Sequence, residues 1–538
     1  MKISPNNKFL AVSINKGVQI FEMPNLKKEY EPFVLYRKYT SFHNDKITSI
    51  NWSSDSRFIL TGSKDTNVRI LNVFKIKGYY PFTFTGHKKK IITALFSHDM
   101  NRIYSISQDG LMLIWKFIEE RSEESGLNLN IWRPSEGTNL PILVYIHGGS
   151  LTSGSGSYED YNGESIAKHG VIMITIQYRL GIFGYFAHED LKNESPNHTT
   201  GDYGLVDQIF ALKWINNNAA NFGGDKMKIT IAGESAGSSS VSALCSSPLA
   251  TGLFRYAIGE SSSLVMKVPP HTYRTQEKAY EVSANILKEF KCKSVADLRK
   301  IPAKKLVKTK YSNSEMMLDG YALPKDPYQV YLDGENNEEA LLNGYNVKEA
   351  DAFVIPQYLL SPTNKKNIKG RIAGQMDEET ASKLCELYKV EIERDAFTTL
   401  NDIMSVYWFI MPHHSWSNMA LQSAKGTKVY RYQFTKENGY HSTYHSGEMI
   451  YAYGNLGLST RQFAYDQSDY DLQDVMVNYW VNFVKTGDPN GTGLPIWNEY
   501  KNNGDPVMEL GENLGEIPDK YLKTYEIIDE YLTKKASS

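Results

Sequence analysis

Between Ile229 and Val241 the chain must pass from a buried strand into a helix within a single turn. No other feature of the sequence constrains the fold as tightly. The apolar run Ile229-Thr-Ile-Ala leads directly into Gly233-Glu-Ser-Ala-Gly237, and a helix-compatible stretch follows from residue 236. A glycine on each side of the serine lets the backbone adopt a sharp, strained strand-to-helix turn, from which the hydroxyl projects above the sheet. The helix behind the serine aims N–H groups and its positive end at the same point. Ser235 is therefore a candidate nucleophile. A chance pentapeptide would lack the strand before it and the helix after it.

The surroundings repeat this alternation. Strand-like runs at 127–132 (LNLNIW), 141–147 (PILVYIH), 171–177 (VIMITIQ) and 229–233 alternate with helical stretches at 204–220 and 274–291. Buried apolar strands alternating with helices predict an α/β fold on a mostly parallel central sheet with helices on both faces. Ile146-His-Gly-Gly-Ser-Leu151 follows one of these strands. Its glycines allow the N–H groups of Gly149 and Ser150 to turn toward the serine, joined by that of Ala236. These three are the candidate oxyanion donors, and losing one such donor costs roughly 10²–10³ in turnover.

Four stretches resemble the type-B carboxylesterases and cholinesterases: 127–134 (LNLNIWRP), 178–186 (YRLGIFGYF), 201–237 (GDYGLVDQ…NFGGD…GESAG) and 482–490 (NFVKTGDPN). The resemblance runs from about residue 122 to 510 and implies an α/β-hydrolase fold, hydrolysis of carboxylic esters through an acyl-enzyme, and no cofactor or metal. It also implies the partners of the serine. The family's acid lies in a segment matched by Gly344-Tyr-Asn-Val-Lys-Glu349, just after the apolar run ALLNG, with Asp351 as the rival. Its histidine lies in a segment matched by His445-Ser-Gly-Glu-Met-Ile-Tyr-Ala-Tyr-Gly-Asn455, with His441 as the rival. The expected catalytic set is Ser235, Glu349 and His445, in the chain order serine, acid, histidine. Asp207 and Gln208 match a helix position expected to brace the serine turn. Trp480 and Trp497 read as packing residues, and Cys245, Cys292 and Cys385 as thiols without an evident histidine partner. Leu151 stands where the family commonly carries an aromatic residue.

The first 117 residues are of another kind. Three stretches align with one another: Ile3-Ser-Pro-Asn-Asn-Lys-Phe, Trp52-Ser-Ser-Asp-Ser-Arg-Phe and Phe96-Ser-His-Asp-Met-Asn-Arg. Each leads to an alternating strand, VQIF at 18–21, VRIL at 68–71 and LMLIW at 111–115. The last two copies lie 44 residues apart, a propeller-blade period. Gly86-His87, Asp109 and Trp115 resemble a WD repeat, and the stretch is similar to the start of the periodic tryptophan proteins. Two to three blades cannot close a ring, since propellers need roughly four to eight. The segment is thus an incomplete WD40 propeller fragment that caps something else or is unstable alone. Ser107, His87 and Asp109 form a decoy Ser/His/Asp set, expected to be a structural network with Trp115.

The organisation read from the sequence is a partial WD segment at 1–117 and a hydrolase domain at 119–538 that lacks the family's usual N-terminal part. SEESGL at 122–127 keeps a trace of that part, and no Pro/Gly/Ser-rich linker marks the junction at 117–122, as in a fusion of two truncated modules. Residues 1–117 hold 18 Lys+Arg and 8 Asp+Glu, a balance of +10, against a total balance of −2. The remainder therefore carries −12, and the basic segment permits nucleic-acid or ribonucleoprotein contact. This leaves a second reading, a ribonucleoprotein-binding scaffold with an inactive hydrolase domain. An apolar content of 41% and the lack of any apolar run of eighteen residues argue against a membrane-spanning protein. The first residues show no signal-peptide pattern, so a cytoplasmic product is expected as written, although the resembled family is often secreted.

Overall fold

The computed structural model describes the chain apart from residues 25–31, 41, 75–81, 98–101, 117–126, 312–313, 355–360, 391–394, 438–442, 459–463 and 538. Three small antiparallel sheets come first. One holds β1 (Lys2–Ile3), β2 (Phe9–Ile14), β3 (Gly17–Glu22) and β4 (Val34–Tyr39). The next holds β5 (Ile47–Trp52), β6 (Phe58–Ser63), β7 (Val68–Asn72) and β8 (Phe82–Phe84). The third is formed by β9 (Ile91–Phe96), β10 (Arg102–Ser107) and β11 (Met112–Lys116). The alternating runs seen in the sequence supply their third strands, with Val18 and Ile20, Val68 and Ile70, and Leu113 and Trp115 all buried.

Each of the later two blades is tied by a buried polar network. In the second, His43 Nδ1 lies 3.0 Å from Asp65 and its Nε2 2.8 Å from Thr61 Oγ1. Burial works against the charge on Asp65, but the hydrogen bond from His43 and the backbone N–H of Asn44 outweigh it and hold the carboxyl down at about 2. In the third, Ser105 is the hub: His87 Nε2 is 2.8 Å from its hydroxyl and Trp115 Nε1 donates to it at 3.0 Å. This corrects the expected set, because Ser107 donates to Asp109 and not to His87. The network is structural, as read, but its serine is a different one.

From Leu129 onward a single nine-stranded sheet organises the chain. Its strands are β12 (Leu129–Trp132), β13 (Leu140–Ile146), β14 (Ile172–Ile176), β15 (Gly224–Glu234), β16 (Tyr256–Glu260), β17 (Ala340–Asn346), β18 (Lys428–Phe434), β19 (Val507–Leu510) and β20 (Gly515–Ile517). They lie in the order β12-β14-β13-β15-β16-β17-β18-β19-β20. The seven inner strands are parallel, and β12 and β20 close the edges antiparallel. β14, β16 and β17 are buried at every residue, which explains their nearly unbroken apolar runs: both faces of a parallel sheet are covered. On one face, Ile142, Val144 and Ile146 pack with Leu205, Ile209 and Leu212 of α1 (Tyr203–Asn218) and with Val241 and Leu244 of α2 (Ala236–Ser246). On the other, Leu143, Tyr145 and Ala232 pack with Trp480, Val481 and Val484 of α4 (Gln467–Thr486). The helix expected at 274–291 is α3 (Gln276–Glu289).

The partial propeller packs against this second core. Leu60, Val68, Ile91, Leu113 and Trp115 belong to the same buried cluster as Trp132, Leu143 and Tyr145. Trp132 Nε1 donates to the carbonyl of Gly86 at 3.4 Å, and Lys88 Nζ lies 3.8 Å from Glu164. The third blade thus leans on the large sheet, which is what the fragment caps. The junction at 117–122 lies outside the described residues.

Trp132 is 3% exposed at the centre of this shared cluster. Trp132→Ala should therefore cost about 3–5 kcal/mol, the price of an aromatic cavity in a core that cannot fully collapse. Thermal unfolding followed by circular dichroism should show a clearly lowered midpoint; an unchanged midpoint would mean that the two parts are not packed as described.

Candidate active site

The site is built at the carboxyl ends of five neighbouring parallel strands, β13, β15, β16, β17 and β18, where an open α/β sheet places its ligands. Ile146 pairs with Gly233, so the ends of β13 and β15 are level. Immediately beyond them, Ser235 takes φ 57° and ψ −127° before α2 begins. Such a conformation costs a non-glycine residue on the order of 1–3 kcal/mol and persists only where the surroundings impose it. They do so here by proximity. A Cβ on Gly237 would lie 2.1 Å from the carbonyl oxygen of Ile146, and one on Gly148 would lie 2.6 Å from the carbonyl oxygen of Glu234 and 3.1 Å from Ser235 Cβ. The two chain segments touch backbone to backbone, which is why glycine stands at both positions.

The loop after β13 is held in several places. Tyr178 Oη donates to the carbonyl of His147 at 2.7 Å, with the two rings stacked at 4.5 Å. Gly181 N donates to Leu151 O at 2.7 Å, and Ser153 N to Gly149 O at 3.0 Å. Ser150 and Leu151 follow one another at φ 55° and 56°. Leu151, in the aromatic position, is fully buried. Among the described residues, the N–H groups of Gly149, Ser150 and Ala236 have no hydrogen-bond partner. They are available to an incoming oxygen. Behind them, Gln208 donates to Ser240 Oγ of α2 at 3.1 Å. Asp207 binds Arg179 instead, at 2.7 Å from Nε, so of the expected pair only Gln208 braces the serine helix directly.

The turn after β17 carries Glu349, fully buried, and the segment after β18 carries His445. Glu349 Oε2 lies 2.6 Å from His445 Nδ1. The other oxygen, Oε1, accepts from Ser261 Oγ at 2.5 Å and from the backbone N–H of Asn346 at 2.7 Å. The orientation of the carboxylate is thus fixed. Asp351 is bonded to Asn401 instead, away from the imidazole. His441 lies outside the described residues. Ser235 Oγ makes no hydrogen bond to the ring in this structure. The His445 Nε2 lies 3.2 Å from Oε1 of Glu234, the residue before the serine, at ion-pair distance but without hydrogen-bond geometry. Glu234 Oε1 also accepts from Ser446 Oγ at 2.5 Å.

The sequence did not point to this ring of acids. Glu234, Glu349, Glu448 and Glu260 are all buried beneath the site. Burial, then the charges of Glu349 and Glu234, push Glu448 up to about 8. Burial and Glu448 likewise raise Glu260, which accepts from Tyr453 at 2.9 Å and Trp480 at 3.1 Å. Trp480 is thus a bonded member of the network as well as a packing residue. Burial alone would depress His445, but Glu234 and Glu349 together overcome it and hold the imidazole up at about 9. Phe409 and Phe353 flank the ring at 4.6 and 5.5 Å between centroids, giving the imidazole an apolar wall. Among the described residues no disulfide joins the three cysteines, and burial raises Cys245 well above the thiol range.

The chain is similar to known proteins over most of its length. A family model of the carboxylesterase family matches residues 99–526, and one of the WD domain, G-beta repeat, matches 36–72 and 78–116. Carboxylesterase 1C of Mus musculus is 31% identical over 418 residues, 70% of this chain and 71% of its own. Liver carboxylesterase 1 of Oryctolagus cuniculus is 30% identical over 462 residues, 76% of each chain. Among solved structures, a carboxylesterase of Geobacillus stearothermophilus superposes with a TM-score of 0.66 at 29% identity, over 76% of this chain and 88% of that one.

The ion-pair geometry has a direct spectroscopic consequence. His445 should titrate near pH 9, well above the roughly 6.5 of a free imidazole. A raised folded-state value means that its charge stabilises the fold fully below about pH 6.5 and ceases to do so as pH rises through the folded value. Glu234→Gln removes the largest of the raising charges, so the titration should move downward. Nitrogen-15 spectra of histidine-labelled protein read this directly, and an unmoved midpoint would contradict the pairing with Glu234.

Proposed function

The chain belongs to the carboxylesterase family, and from that premise we propose that Ser235, Glu349 and His445 are its catalytic triad. It is a serine hydrolase of carboxylic esters. In this reading His445 takes the proton of Ser235 as the hydroxyl attacks the ester carbonyl, and Glu349 holds the ring in one tautomer and stabilises its charged form. The N–H groups of Gly149, Ser150 and Ala236 hold the developing oxyanion. The alcohol leaves with the proton from His445, and water then attacks the acyl-enzyme by the same path in reverse.

The single observation that carries the assignment is the 2.6 Å contact between Glu349 and His445 Nδ1, beside a serine held in the strained turn. Nδ1 is committed to Glu349, and Nε2, which rests 3.2 Å from Glu234, must leave that carboxylate to meet the serine hydroxyl. The imidazole must be neutral to act as base. With its proton held by two carboxylates, kcat/KM should climb with pH toward the value of about 9 at which the ring deprotonates. The flanking Phe353 and Phe409 favour an apolar group beside the reacting carbonyl.

The alternative, a ribonucleoprotein-binding scaffold with an idle hydrolase domain, is not favoured by any specific contact. A purely adhesive descendant has no reason to keep Glu349 fixed by four hydrogen bonds. Ser235→Ala should lower hydrolysis of p-nitrophenyl butyrate by at least about 10³-fold, the usual loss when a triad nucleophile is removed. It should also abolish labelling by a fluorophosphonate probe. Near-normal turnover by that variant would refute the assignment.

A further inference from the structure

A second histidine beside the site takes no part in the proposed mechanism. His271 lies in the loop between β16 and α3, and its ring is 5.1 Å from that of Phe409. Phe409 also flanks His445, at 4.6 Å, so one phenyl ring touches both imidazoles. It belongs to a single π turn, Val406–Ile410, a form found mostly at functional sites. The backbone that presents His271 is pinned. Thr272 is held at φ 60°, a strained value for a β-branched residue, and its carbonyl accepts from Met316 N at 2.8 Å. Burial, then the charge of His445, hold the His271 imidazole down at about 4, so the ring is neutral at neutral pH.

A relay of hydroxyl groups fixes the tautomer of that neutral ring. Each hydroxyl has one proton to give. Thr272 Oγ1 gives its own to the carbonyl of His271 at 2.7 Å, so it can only accept from Ser239 Oγ at 2.8 Å. Ser239, having donated there, accepts from Ser262 Oγ at 2.7 Å. Ser262, its proton likewise used, accepts from His271 Nε2 at 3.2 Å. The ring proton is therefore on Nε2, and Nδ1 is a bare acceptor. Among the described residues nothing donates to Nδ1, and the side chain stays partly exposed. The relay is anchored on the helix of the nucleophile, where Ser239 N donates to Ser235 O at 3.0 Å.

A neutral acceptor of fixed orientation suits a substrate group that has a proton to donate. The leaving alcohol must meet His445, which returns its proton, so a histidine one ring removed reads the acyl part instead. Resting on the triad reading above, we propose that His271 Nδ1 selects esters whose acyl chain carries a hydroxyl close to the carbonyl. That hydroxyl donates to Nδ1. An alkyl group in its place leaves the buried lone pair without a partner, and a hydroxyl with no such acceptor would lose its hydrogen bonds to water for nothing.

The test compares p-nitrophenyl 2- and 3-hydroxybutyrate with their methyl isosteres, the 2- and 3-methylbutyrates, each rate divided by that of alkaline hydrolysis. One of the hydroxy esters should be preferred over its isostere about tenfold in kcat/KM, the size of one hydrogen bond made away from water. His271→Phe keeps a ring against Phe409 but no acceptor, and the ratio should fall to about one. The ratio is internal to each preparation, so a general loss of activity does not imitate the effect. If that variant misfolds, Ser262→Ala decides: it releases the Nε2 proton from its partner and should lower the ratio by about threefold or more. Equal use of hydroxy and methyl esters by the wild type, or a preference that survives in the folded variant, overturns the inference. Hydrolysis that still depends on Ser235 would then leave the triad standing. If none of these esters is hydrolysed, the triad reading fails, and the selectivity resting on it fails too.

Discussion

The active end of this molecule depends on a contact between two backbones. Where β13 and β15 finish level, the carbonyl of Ile146 and the peptide of Gly237 approach so closely that no side chain fits between them. That approach does three things. It forces Ser235 into its strained conformation, sets α2 behind it, and lays the Gly148–Ser150 loop against the serine. The strain on one residue is small beside the burial of the eleven residues of α2, all of which are covered. Packing of the helix therefore maintains the turn, and the turn in turn presents the hydroxyl.

A second constraint is electrostatic. Four carboxyl groups lie beneath the site, and so many full negative charges could not be buried together without compensation. The structure resolves this by sharing protons and one cation. Glu448 and Glu260 hold their protons more tightly than exposed acids do. Glu349 and Glu234 face the imidazole from its two nitrogens. The same arrangement that stabilises an imidazolium in the transition state also stabilises it at rest. The ring's resting position toward Glu234, not Ser235, is the geometric expression of that preference. In the proposed mechanism, catalysis at neutral pH draws on the neutral fraction of the ring, a fraction that Glu234 and Glu349 together make small.

The fold was legible from residue patterns wherever one physical demand dominated. Strands read at 141–147 and 171–177 are strands at Leu140–Ile146 and Ile172–Ile176, because full burial on both faces leaves an unbroken apolar run. The helix read at 204–220 is one at Tyr203–Asn218 for the complementary reason of helical spacing. The serine turn was legible because only glycine fits its neighbours. Glu349 and His445 were reached through family resemblance, and their 2.6 Å contact is something that spacing alone could not foretell. Glu234, Ser261 and Glu448 were not identified. Their roles come from where separate strands end, and a glutamate inside a G-x-S-x-G turn gives no sign of which way its side chain points. The shift of the blade hub from Ser107 to Ser105 has the same origin. Two serines at one strand's period face the same side, and which of them meets His87 is settled by how the blades stack.

The junction of the two modules follows from one strand being claimed twice. An antiparallel propeller blade and a doubly covered parallel sheet each need an edge strand at this point of the chain, and only Leu129–Trp132 is present among the described residues to serve. The large sheet takes it, since pairing with β14 buries Asn130 and Trp132 against an existing core. The blade keeps its stacking contacts through Trp115, Leu113 and the Gly86 carbonyl but loses its outer ladder. A truncated propeller would otherwise expose a whole apolar face; here that face is largely covered by Trp132 and its neighbours.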